Sequence, residues 1–165
     1  MNWVDIVAII IIILSFVGGL GEGAVRTFSS LIALIISIPL AGLSYKIVAS
    51  WLSFMPGTDW GNFIGFFIAM GVINVIFFII FFVPRKIISA IWNKGVLFRV
   101  LGGGLNVLGA MIGLAVFTLV IRTYPVVDWL VGDVNNSNVL QAMVTGFGFV
   151  KSMLPDLFLK ASTVV

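Results

Sequence analysis

The chain has no cysteine and no histidine among its 165 residues. Without cysteine there is neither a disulfide framework nor a thiolate nucleophile. Without histidine the commonest general base and the commonest transition-metal ligand are missing together. Charge is scarce as well: Asp, Glu, Lys and Arg make up 9% of the residues, against roughly a quarter in soluble domains, too few to cover a water-facing surface. The acids are Asp5, Glu22, Asp59, Asp128, Asp133 and Asp156, and no two of them form a close pair on a shared apolar run. Paired-acid hydrolysis, ion-driven antiport through buried carboxylates and divalent metal sites therefore lack their parts. The expectation is a protein that is not an enzyme and uses no cofactor and no metal. The nine basic residues give a formal charge of +3, but they are scattered or stand at the ends of apolar runs, so no nucleic-acid face is expected.

What the chain has in abundance is hydrocarbon. Hydrophobic residues make up 61% and the mean hydropathy is +1.26, gathered into four runs each about as long as a bilayer is thick. The first, Val4–Leu20, contains Ile9-Ile10-Ile11-Ile12-Ile13-Leu14, six residues that favour insertion by about 2 to 4 kcal/mol. No Lys or Arg precedes it and a second run follows shortly after, so it reads as an uncleaved span and not a signal peptide. Asp5, near its start, is placed to remain in the interface. The second run, Phe28–Tyr45, follows the turn-like glycines of Gly18–Gly23 and carries Pro39, which removes a backbone donor and predicts a kink. The third, Asn62–Val83, is rich in Phe and Ile and stops at Pro84-Arg85-Lys86. The fourth, Val100–Ile121, opens on Gly102-Gly103-Gly104 and closes at Arg122, Tyr124 and Pro125. No Lys-Ser or Lys-Thr follows the triple glycine, which sets aside a phosphate loop.

The fold class that results is an all-α membrane protein of four transmembrane helices. An interfacial helix is predicted before the fourth span, with Ile87, Ile88, Ile91 and Trp92 on one face and Ser89, Asn93 and Lys94 on another. The tail is too polar for a fifth span, because Asp128, Asp133, Asn135, Asn136 and Ser137 interrupt it. From Val139 the positions Leu140, Met143, Phe147, Val150 and Leu154 recur at helical spacing, which predicts an amphipathic helix frayed near Gly146 and Gly148. The chain thus divides into a four-span domain, 1–122, and an amphipathic extracytoplasmic tail, 123–165, packed on it. Arg26, Arg85, Lys86, Lys94 and Arg99 lie in the two connections that share one side of the membrane, which predicts that side as cytoplasmic and both termini as outside.

Polar side chains inside the spans are the first place to look for function. Asn74 and Asn106 are placed to hydrogen-bond across helices, whereas Ser37 and Thr118 can bond their own backbones. The fourth span presents Gly102, Gly109, Ala110 and Gly113, with Gly109 and Gly113 spaced for the close approach of another backbone. Glu22 and Arg26, four apart, form an exposed pair at the turn.

Three stretches then carry a likeness. Asn2-Trp3-Val4-Asp5-Ile6, Gly23-Ala24-Val25-Arg26-Thr27-Phe28 and Arg99-Val100-Leu101-Gly102 resemble the bacterial colicin V production protein family, also called the CvpA family, and the likeness extends over nearly the whole chain. It marks Asp5, Gly23, Arg26 and Arg99 as the family-motif residues at the turn and the helix starts. Where members often carry a basic residue before the turn glycine and an acid after its arginine, this chain has Glu22 and Thr27. The resemblance implies a multi-pass protein of the bacterial inner membrane, supporting colicin V production or export and envelope homeostasis. The expected partners are the lipid bilayer and either a second copy or another membrane protein. The rival reading is a small oligomeric channel, loosely similar to mechanosensitive ones, with the Gly-rich fourth helix lining its pore.

Overall fold

The first helix begins at Trp3 because Asn2 closes its first turn. The Asn2 side-chain oxygen accepts from the Trp3 N–H at 2.7 Å, and Asn2 and Asp5 form a reciprocal capping box, the Asn2 side chain taking the Asp5 N–H and the Asn2 N–H donating to Asp5 Oδ2 at 2.7 Å. The computed structural model describes residues 2–52, 57–82, 84, 86, 88 and 95–154, and its elements are all helical. Four long helices, α1 (Trp3–Glu22), α2 (Ala24–Trp51), α3 (Thr58–Ile80) and α4 (Val96–Thr123), are each long and apolar enough to cross a membrane. Three short ones, α5 (Asp128–Asn135), α6 (Asn138–Gly146) and α7 (Phe149–Met153), follow. At 1.5 Å per residue the 28-residue α2 and α4 reach about 42 Å, so each tilts or overruns a hydrocarbon layer of about 30 Å.

The turn between α1 and α2 is narrower than the glycine run predicts. Gly18, Gly19 and Gly21 all lie inside α1, and only Gly23, buried and at φ 79°, leaves the helix. A side chain at that φ is strained, which is why the chain can reverse here in one residue. The Gly23 N–H returns to the Gly19 carbonyl at 3.1 Å, and its own carbonyl accepts from the Thr27 hydroxyl at 2.9 Å. Gly18 and Gly19 stay helical because they form the face on which α4 lies.

The spans stand in the spatial order α1, α4, α2, α3, with α1 and α2 meeting chiefly around their junction. Packing therefore concentrates on α2 and α4, where Ile38, Ala41, Ala115, Val116 and Val120 are fully buried. On α3, Gly65 faces α2 so closely that an added Cβ would lie 3.0 Å from Ala49 N and 3.1 Å from the Tyr45 carbonyl oxygen. Helix α3 also reaches α4 through rings, Phe63 and Phe67 lying with their centroids 6.3 and 6.2 Å from that of Phe117. Helix α2 continues through Pro39 without a break.

Four crossings bring the start of α1 and the end of α4 to the same end of the bundle, and the tail folds back there. Val134, Leu140, Met143, Val144 and Val150 are buried in the same core as the spans. Where one amphipathic helix from Val139 is predicted, there are two, α6 and α7, interrupted at Phe147 and Gly148. At this end the Tyr124 hydroxyl donates to that of Tyr45 at 3.0 Å, joining α2 to the exit of α4. Burial, and then the Tyr45 hydroxyl, push the Tyr124 phenol well above its ordinary range. The interfacial helix predicted around Ile87, Ile91 and Trp92 and the tail beyond Leu154 lie outside the described residues.

Helix association in lipid rests on close packing, because hydrocarbon is as apolar as the side chains it replaces. Gly65→Val is expected to separate α2 from α3 and to destabilise the protein by about 1–3 kcal/mol, read as a lowered thermal midpoint in detergent. Gly71→Val, at an exposed position of the same helix with open space around it, is expected to leave the midpoint unchanged.

Candidate functional site

Asp5, at the mouth of α1, is covered by protein. Its side chain is fully buried, and a buried carboxylate is tolerated only where its lone pairs are filled. The Ser137 hydroxyl donates to Asp5 Oδ1 at 2.5 Å and the Val139 N–H donates to the same oxygen at 3.1 Å, while Oδ2 takes the Asn2 N–H. The carboxylate therefore sits on the N-terminus of α6, where free N–H groups and the helix dipole favour an anion. Ser137 also caps α6, accepting from the Leu140 N–H at 3.2 Å. One turn away, Asn2 Nδ2 donates to the Asp133 carbonyl oxygen at 3.0 Å, and the Trp3 indole N–H donates to Asp133 Oδ2 at 2.7 Å. Trp3 and Trp129, both exposed, lie with ring centroids 6.0 Å apart. Together these residues fasten the entrance of α1 to the tail. The acid near the start of the first span is visible in the sequence; Ser137 and Asp133, some 130 residues away, are not.

At the opposite end of α1 the contact is backbone on backbone. A Cβ at Gly102 would lie 2.6 Å from the Gly19 carbonyl oxygen, 2.7 Å from Gly23 C and 3.0 Å from Ala24 N. The start of α4 is thus seated in the crook between α1 and α2. Gly103 beside it takes the Phe16 ring, whose Cε2 would be 2.8 Å from an added Cβ. One turn further on, Asn106 Nδ2 donates to the Ser15 carbonyl oxygen on α1 at 2.7 Å. The counterpart of Gly102 is Gly19, which spacing along the fourth span alone could not identify.

The other predicted positions divide between the interior and the surface. Gly109 faces α2, with Leu31 Cδ1 3.7 Å and Leu34 Cδ2 4.0 Å from an added Cβ, an ordinary contact within the protomer that disfavours the pore-lining reading. Gly113 and Ala110 are half-buried, and an added Cβ at Gly113 meets nothing within 4 Å. Asn74 on α3 donates to Ser37 Oγ on α2 at 2.7 Å and to its own helix at Met70 O at 3.0 Å. Ser37 and Thr118 each bond a carbonyl of their own helix, Leu34 and Leu114 respectively. Arg26 and Glu22 pair at 3.4 Å across an exposed surface, and Arg99 is exposed at the start of α4. The structure does not gather the motif residues into one cluster. Asp5 stands at one end of the bundle, and Gly23, Arg26 and Arg99 at the other.

Among the described residues no group of three Asp or Glu side chains is placed to hold a metal ion. What the arrangement supplies is attachment, a tail fastened over the start of α1 and a glycine seat fixing three helices. A family model, that of Colicin V production protein, matches residues 4–152, which takes in Asp5, Ser137 and the glycine seat. The chain belongs to the colicin V production family. No curated relative and no solved structure matches it. The family's extent from Val4 to Ser152 treats the four spans and the tail as one unit, as the shared core does.

Two pairs of substitutions separate the attachments. Asp5→Ala leaves three donors without an acceptor and is expected to cost about 1–3 kcal/mol, seen as faster proteolysis of the tail after Thr123. Asp5→Asn, which keeps the shape but turns one acceptor into a donor, should fall between. Gly102→Ala presses a methyl on backbone that cannot rotate away and should lower the thermal midpoint, whereas Gly104→Ala, which meets nothing within 4 Å, should not.

Proposed function

We propose that this member of the colicin V production family is a non-enzymatic accessory protein of the bacterial inner membrane, supporting colicin V production or export and envelope homeostasis through its helix contacts. The observation that carries the reading is the family match over residues 4–152, which spans the four membrane-length helices from Val4 onward and the tail as far as Ser152. The use made of the polar side chains supports it. Asp5, Asn74 and Asn106 each hold two elements together, the division of labour expected of a scaffold. In this reading the basic connections face the cytoplasm and both termini face outward. The tail, fastened to the outer end of α1, is then presented to the periplasm or the cell exterior. The exposed apolar faces of α1 and α3 meet lipid, a second copy of the chain or another membrane protein.

The test is complementation. In a colicin V-producing strain deleted for its own family member, the wild-type chain is expected to restore secreted toxin activity and growth under a membrane-active detergent stress. Gly102→Leu and Asp5→Ala should restore less at equal membrane abundance. Full restoration by both variants would remove the helix contacts from the function, and absence of restoration by the wild type would overturn the accessory role.

A further inference from the structure

Between α2, α3 and α4, toward the end that carries the basic connections, lies a cavity of about 220 Å³. Its floor is α2 at Thr27 and Ser30, and its walls are Asn74 of α3 and Asn106 and Gly109 of α4. Both asparagine amides are committed on the nitrogen side: Asn74 Nδ2 to Ser37 Oγ and Met70 O, Asn106 Nδ2 to Ser15 O. Because Met70 O and Ser15 O are carbonyls, they fix the amide orientation, and the remaining atom of each side chain is an acceptor. Among the described residues no hydrogen bond reaches Asn74 Oδ1, Asn106 Oδ1 or the exposed hydroxyl of Ser30. A second cleft of about 220 Å³ shares Ser30 and Asn74 and leads out past Val75 and Phe78.

The two asparagines lie within the membrane-length helices, well in from their ends. Asn106 is seven residues beyond the exposed Arg99 and Asn74 seven before Phe81, about 10 Å in each case at 1.5 Å per residue. An acyl chain offers nothing to an amide carbonyl, and an unfilled acceptor in hydrocarbon costs free energy. Two acceptors and a hydroxyl around a cavity with room for several waters meet the conditions for ordered solvent.

We propose that this groove is a water-binding notch, open at the end with the basic connections, which carries solvent into the membrane as far as Asn106 and Asn74. Toward the other end Phe63, Phe67 and Phe117 bring α3 and α4 into ring contact. The assignment holds whichever way the chain faces, and so stands or falls apart from the orientation proposed above.

The absence of cysteine gives a clean background for the test. Single-cysteine variants are labelled in sealed native-membrane vesicles of both orientations with a charged, membrane-impermeant methanethiosulfonate. Gly21→Cys marks the basic end, Asn138→Cys the tail end, and the exposed Leu108→Cys the lipid-facing surface of α4. The reagent needs a thiolate, and a thiol in apolar surroundings stays protonated, so Ser30→Cys is expected to react within about tenfold of the Gly21→Cys rate and from the same side. Asn106→Cys should follow, and Leu108→Cys should be slower by about a hundredfold. Ser30→Cys removes no hydrogen bond, so its result decides even where Asn106→Cys fails to fold. A Ser30→Cys rate as low as that of Leu108→Cys, or labelling only from the side that labels Asn138→Cys, overturns the proposal. The first result would mean that lipid or another chain fills the groove.

Discussion

The architecture depends on the absence of a side chain at Gly102. With only hydrogen there, α4 descends into the crook of α1 and α2 until its backbone touches the Gly19 carbonyl, Gly23 and Ala24. That contact makes the single-residue turn at Gly23 useful: a turn so short would by itself lay α1 flat against α2, yet the two meet chiefly at their junction because α4 occupies the space between them. From the order α1, α4, α2, α3 follows the rest. Helices α2 and α4 become the inner pair, α1 and α3 become the flanks, and the flanks keep long apolar faces for whatever surrounds the protein. In a bilayer no hydrophobic force favours this arrangement over a looser one, so the gain comes from the short distances that glycine permits and from hydrogen bonds such as Asn106 to Ser15.

The Asp5 cluster does at the other end what glycine cannot. A helix crossing fixes position near the crossing but leaves the far end of a 20-residue helix free to splay, about 30 Å away. Asp5 closes that end by accepting from Ser137 and Val139 of the tail, and the tail in turn packs on α4. The two devices suit their surroundings. The glycine contact involves no charge and needs no water, whereas the carboxylate stands at the terminus of its span, where the first residues of α6 can supply N–H groups.

Much of this is written plainly in the sequence and some of it is not. The spans are legible because twenty consecutive apolar residues have no other solvent, and breakers such as Gly23 and Pro125 bound them closely. Gly102 is legible as a packing residue, being small on a bulky helix, but its partner is not, since Gly18 and Gly19 carry the same composition as a turn and only the third dimension shows them to be helical. Asp5 misleads for a related reason. An acid at the mouth of a span is ordinarily solvated, and its burial depends on Ser137, a residue whose own local signal is that of a helix cap. The tail's division at Phe147 and Gly148 is a matter of two glycines within three residues, where helical periodicity and glycine's cost to a helix oppose each other and packing on α4 settles the outcome.

The same constraints explain why polar groups in the membrane collect on one side of the row. Around Phe63, Phe67, Phe66 and Phe117, large rings fill the gap between α3 and the inner pair. Toward the basic connections a cleft stays open, where the inner helices offer Thr27, Ser29, Ser30, Asn106 and Gly109 beside Leu31, Leu34 and Leu105. Helix α3 is thus attached to α2 by Gly65 and Asn74 and to α4 by the phenylalanine rings, and the stretch between α3 and α4 nearer the basic connections is lined with acceptors. A flank fixed at those points can leave a polar cleft beside it without loosening the bundle, because in lipid it is hydrogen bonds and close ring contacts, and not withdrawal from water, that hold helices together.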